Sequence, residues 1–176
     1  MTSSTLSRTV PLLYQGRTNN CGPYATAMAL SFYRREVVDP SEVASAIRWY
    51  RVPFLGATLP PGVLMGIVAG GQHYRTGFLG KINDLKHHID CDRPVIVLVH
   101  PSDLRRCHWY DLHYRVVVGY RDAPTLPGGG VLFFNCSSAR RSVTPGGVGN
   151  VTVDYATFER QWRVWGVISW YAAVLP

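Results

Sequence analysis

Apolar residues recur along this chain in two rhythms, one helical and one extended. From Tyr24 to Tyr33 small and apolar side chains follow one another without a breaker, which predicts a helix beginning near Pro23. Proline suits that first turn, where an N–H would have no helical partner. Met28, Leu30, Phe32 and Tyr33 give this helix so much apolar surface that the core should largely enclose it. Asp39-Pro40-Ser41-Glu42 opens a second helix with a polar cap and an acidic first turn, running to about Tyr50. Pro60-Pro61 precedes a third, short helix that ends at Gly70-Gly71, and Ile82, Leu85 and Ile89 stand at the spacing of a fourth.

The second half changes period. Pro94 to Val99 is β-branched and apolar, and His113 to Tyr120 and Val131 to Asn135 read as two further strands. The Pro- and Gly-rich stretch from Ala123 to Gly130 between them predicts a hairpin. Val10 to Tyr14 and Val151 to Val153 read as short strands, Tyr155 to Trp162 as a helix started by Asp154, and Gly166 to Val174 as a final strand. Helices first and an antiparallel sheet second define an α+β domain. No repeat or linker divides it, so residues 1–176 are expected to form a single domain, with about 1–9 a flexible N-terminus.

Composition narrows the function classes. A chain of 176 residues with 47% hydrophobic and 16% charged residues is an ordinary globular composition, neither disordered nor a set of membrane spans. The formal charge of +7 sits in separated pairs, Arg34-Arg35, Arg105-Arg106 and Arg140-Arg141, so no specific nucleic-acid partner is expected. Val95 to Val99 is far short of the roughly 20 residues of a spanning helix. The N-terminus lacks the basic and then apolar pattern of an export signal, which points to a soluble, cytoplasmic protein. Cys21, Cys91, Cys107 and Cys136 form neither a zinc pattern nor a dense disulfide framework, so reduced thiols are expected, with a Cys91–Cys107 bridge as the alternative. No metal or other cofactor is expected.

Cys21 stands where a loop becomes a helix, and a helix start offers free N–H groups and the positive end of a dipole to a thiolate. By itself such a cysteine would read as a small core residue. Three other residues alter that. Gln15, six positions upstream, can fold back to donate to a developing oxyanion together with the Cys21 backbone N–H. His113 opens a strand and is the candidate base; Asn135 ends the next strand, where its carbonyl can orient the imidazole. Read singly, Gln15 is a surface residue, His113 a hydrogen-bonded core histidine and Asn135 a turn former. His108 is the second candidate base and Asp122 the second candidate orienter, the latter at the wrong end of a hairpin.

The run Asn19-Asn20-Cys21-Gly22-Pro23-Tyr24-Ala25 after Gln15, with His113-Tyr-Arg-Val-Val-Val-Gly-Tyr120, resembles the bacteriocin-leader (double-glycine) peptidase-like group of the papain superfamily. Asp154-Tyr155, Phe158, Trp162 and the closing apolar strand resemble that group's last helix and strand. The resemblance implies a papain-like fold, a bacterial source and a cysteine hydrolase cleaving a peptide or amide bond in a peptide or protein substrate. It also implies four roles: Gln15 as oxyanion donor, Cys21 as nucleophile, His113 as general base and acid, and Asn135 as orienter. A papain-like acyltransferase or isopeptidase, and a catalytically silent peptide-binding module, are the alternatives. The chain departs from the group at Asn135-Cys136-Ser137, where many of those peptidases carry Asp followed by Pro.

Overall fold

The breaker-free segment forms α1, Cys21–Arg34, in a computed structural model that describes residues 2–53, 55–100, 112–138 and 148–176. Eleven of its residues from Cys21 to Phe32 are buried, and it ends at Arg35, whose left-handed backbone turns its N–H back to the Ser31 carbonyl. In α2, Pro40–Ala46, the Asp39 carboxylate caps the Ser41 N–H, and the helix gives way after Ile47 to a separate 3₁₀ turn at Arg48–Tyr50 instead of continuing. Helices α3, Pro60–Ala69, and α4, Ile82–Asp90, follow the expected spacing.

The strands are β1, Ser3–Thr5; β2, His73–Gly77; β3, Val95–Val99; β4, His113–Asp122; β5, Gly130–Asn135; β6, Val151–Asp154; and β7, Tyr171–Leu175. They make one seven-stranded antiparallel sheet in the order β2-β7-β3-β4-β5-β6, with β1 also on β4. Strand β3 covers His113 to Val117 of β4, and β1 covers Gly119 to Arg121 on the same strand. Ser3–Thr5, within the stretch expected to be flexible, is therefore part of the sheet. Val10 to Tyr14 forms no strand; its backbone instead serves as a partner for side chains of the sheet. The polar strand β2 escaped the apolar pattern because it is an edge strand with its first three residues exposed. The last strand starts later than expected, because Trp165 and Gly166, both at positive φ, fold residues 164–168 into a tight turn.

Helix α1 packs on β3 and β4, and α5, Tyr155–Trp162, packs on β3, β5 and β6. Phe158 of α5 lies between Phe134 and Trp162, at ring-centroid distances of 5.3 and 5.0 Å. Among the described residues no helix is long and apolar enough to cross a membrane. The helices thus bring the start of α1 to the end of the sheet where β4 begins.

Candidate active site

Cys21 is the first residue of α1 and is 8% exposed. The loop before it is fixed from both sides: Asn19 donates to the Leu55 carbonyl at 2.9 Å, and Arg51 donates to the Asn20 side chain. Gly22 is required because a Cβ there would lie 2.5 Å from Thr58 Cβ. Pro23, in the first turn, has no N–H to leave unpaired. These contacts hold the sulfur where the helix N–H groups are free.

His113, the first residue of β4, pairs with Val99 of β3, so the sheet fixes its backbone. Its ring is held between two thiols: Nε2 lies 3.3 Å from Cys136 Sγ, and Cys21 is the other side-chain partner of the imidazole. Burial works to lower the pKa of His113, but hydrogen bonds to Cys136 and Cys21 and their negative charge outweigh it and raise it to about 9. Burial likewise opposes ionisation of Cys136, yet the hydrogen bond and charge of His113, with help from Ser138 and Arg115, lower its pKa to about 6. Tyr114, next to His113, has its hydroxyl pushed well above the usual range by burial and by the charge of Cys21, and donates to the Thr58 carbonyl at 3.1 Å.

The Gln15 side chain donates to the Thr18 carbonyl at 2.5 Å and accepts from the Ser137 hydroxyl at 2.6 Å, while its backbone N–H donates to the Ser137 carbonyl. Its carboxamide is thereby anchored with one of two N–H groups engaged by Thr18.

Asn135 does not meet the imidazole. Its amide donates to the Val10 carbonyl at 2.8 Å and to the Pro11 carbonyl at 3.4 Å. The cause is a β-bulge. From the hairpin turn Asp122 faces Gly130 and Gly119 faces Phe133, but the register then shifts so that Val117 faces Phe134 and Val116 faces Asn135. In an unbroken ladder Asn135 would face Val117 and share the side of the sheet used by His113 and Arg115; the extra residue reverses that parity. Cys136 takes the place instead, and the residue next to the predicted one was missed because a bulge has no clear sequence signature here. Asp122, the other orienter considered, lies at the far end of β4, bound by Lys86, Thr2 and Tyr155. His108 and Cys107 lie outside the described residues, and Cys91 is a free, exposed thiol.

Cys136 itself is rigidly placed. Its N–H donates to Asn150 Oδ1 at 2.8 Å and its carbonyl accepts from Asn150 Nδ2 at 2.9 Å. Asn150 is fully buried, and Gly149 before it has φ +68 with no room for a Cβ, which would lie 2.5 Å from the Phe134 carbonyl oxygen. Replacing Asn150 with Ala leaves both backbone groups of Cys136 without these partners. We expect a loss of about 2–4 kcal/mol in unfolding free energy, measurable by urea titration.

An apolar cleft of about 260 Å³ opens beside Cys21, with Leu59, Leu98, Tyr114, Trp165 and Trp170 in its walls. Trp165, 61% exposed, and Phe78 form its accessible rim. No group of acidic, His or Cys side chains among the described residues is arranged to hold a metal ion.

Residues 7–166 match the model of the Peptidase_C39 like family. The chain belongs to that family. The cysteine-peptidase chemistry of a C39-like protein accords with a thiol and an imidazole in hydrogen-bond contact. A protein described as a C39-like peptidase from Bacillus anthracis superposes with a TM-score of 0.72 at 16% identity, covering 100% of this chain and 98% of that one. A double-glycine motif protease from an AMS/PCAT transporter, in complex with the leader peptide, superposes at 0.62 with 15% identity over 98% of each chain. A digestive procathepsin L 3 of Tenebrio molitor superposes at 0.67 with 13% identity, covering 100% of this chain and 70% of that one. At these identities the likenesses establish the α+β, papain-like fold. A comparison with curated proteins finds no match.

Proposed function

We propose that this C39-like protein is a cysteine peptidase in which Cys21 attacks a peptide carbonyl and His113 carries the proton. The observation that supports this most directly is the Cys21–His113 contact at the start of α1, beside an apolar cleft. The Cys21 sulfur forms a bond to the carbonyl carbon, whose oxygen becomes negative and accepts from the Cys21 N–H and the second N–H of Gln15. Collapse breaks the C–N bond as the imidazolium of His113 gives its proton to the leaving amine. Water, deprotonated by His113, then adds to the thioester and releases a carboxylic acid and the Cys21 thiol. The imidazolium persists up to about pH 9, so leaving-group protonation should fail only above that value.

The apolar cleft walls favour as substrate a peptide with a large apolar side chain near the cut bond, since a charged one would lose its hydration there. The leader peptide seen with the transporter protease supports a peptide as ligand. The test is alkylation by a capped Leu-Ala chloromethyl ketone, in which a carbon–sulfur bond forms and chloride leaves, with adducts mapped by mass spectrometry. Cys21 should be modified, and replacing Leu by Asp in the probe should slow that adduct by about tenfold or more. The exposed Cys91 serves as a reference whose rate is indifferent to the change. An adduct on Cys136 or Cys91 with Cys21 unmodified would sink the assignment.

A further inference from the structure

Building on the Cys21–His113 reading, we infer that Cys136, not an amide or a carboxylate, is the positioning residue that holds the His113 ring, so that the imidazole works between two thiols. Four observations carry this. The Cys136 sulfur is the group at Nε2 of His113, 3.3 Å away. It is 2% exposed, so it does not compete with Cys21 for substrate in the cleft. Its backbone is clamped at both ends by Asn150, and its sulfur receives a second contact from the Ser138 hydroxyl at 3.1 Å. The neighbouring Asn135 directs its amide to Val10 and Pro11.

A buried thiolate can do at this point what a carboxylate does elsewhere. It accepts from the ring N–H, which fixes the tautomer and rotation that present the other nitrogen to Cys21, and its negative charge stabilises the imidazolium. It differs from a neutral amide in adding charge, and from a carboxylate in offering one large acceptor atom in place of two oxygens. The raised pKa of His113 and the lowered pKa of Cys136 have that contact as a shared cause, to which Cys21 adds for the imidazole and Ser138 and Arg115 for the thiol. Among the described residues, the charged or titratable groups that act on this pair are Cys21 from α1 and Arg115 from β4, together with the Ser138 hydroxyl. Arg115, on the strand that carries His113, adds to the stabilisation of a Cys136 thiolate.

The decisive measurement is the titration of the His113 imidazole by NMR in the full chain, alongside hydrolysis of a capped Leu-Ala aminomethylcoumarin amide. Cys136→Ala should move the imidazole midpoint downward by more than about one pH unit, and lower kcat by on the order of 10²-fold with KM little changed. The alkaline limb of the rate profile should move down with the midpoint. Cys136→Asp should restore both, which a purely structural role would not allow. Asn135→Ala should leave the midpoint where it is. An unchanged midpoint in Cys136→Ala overturns the inference, as does a midpoint that falls only in Asn135→Ala. If Cys136→Ala fails to fold by circular dichroism, Cys136→Ser, which keeps the size and removes the thiolate, takes its place with the same expected fall. The proposed nucleophile is judged separately: hydrolysis that survives Cys21→Ala ends that reading, whatever the imidazole titration gives.

Discussion

Cys21→Ala is expected to lower peptide cleavage by on the order of 10⁴-fold or more, because no other thiol among the described residues both meets His113 and reaches the cleft. Cys136 meets the imidazole but is buried away from the cleft; Cys91 is exposed but is a neighbour of His87, not of His113. The substitution removes a sulfur without changing the backbone at the first position of α1, where alanine is well accommodated. Folding should therefore persist, and the far-ultraviolet circular dichroism of the variant should match that of the parent. Residual cleavage would measure what the proposed oxyanion donors do alone to a carbonyl attacked by water. Cleavage at the parental rate would dismiss the mechanism.

The second large effect is structural. Trp162 closes α5, is 1% exposed, stacks on Phe158 and donates its indole N–H to the Trp170 carbonyl at 2.8 Å. It also fills space against Gly80, where a Cβ would lie 2.6 Å from the indole ring. Trp162→Ala removes a large apolar ring and leaves a cavity that its rigid aromatic neighbours cannot fill. The expected destabilisation is about 3–5 kcal/mol, equivalent to a fall of about 10 °C in the thermal midpoint, read by calorimetry. Because α5 supports β5 through Phe134, the loss should reach the Cys136 contact with His113 before global unfolding.

Much of this fold was legible from the chain alone. The helix at Cys21, the caps at Asp39 and Asp154, and the hairpin from His113 to Asn135 all rest on local chemistry: breakers, polar caps and alternation. The segments that misled were those whose state is fixed by distant neighbours. Ser3–Thr5 is a strand because the outer half of β4 lacks β3 beside it, and β2 is a strand because β7 presents an edge; neither has an apolar pattern of its own. Around the site, Cys21 at the start of a helix and His113 at the head of a strand followed from local pattern, whereas which of Asn135 and Cys136 lies on the His113 side depends on Val118 bulging out of β4. An alternating pattern reports which residues share a face only while the ladder is unbroken.

That bulge carries a lesson about how such a site diversifies. Which atom type lies beside the imidazole is set by whether Val118 pairs or bulges out of β4 as much as by which letters stand in β5. Deleting the unpaired Val118 would leave Val117 facing Phe134 and Val116 facing Asn135, and so keep the sulfur beside the imidazole, whereas drawing Val118 into a regular ladder at unchanged length would bring the amide round in its place with no substitution at either position.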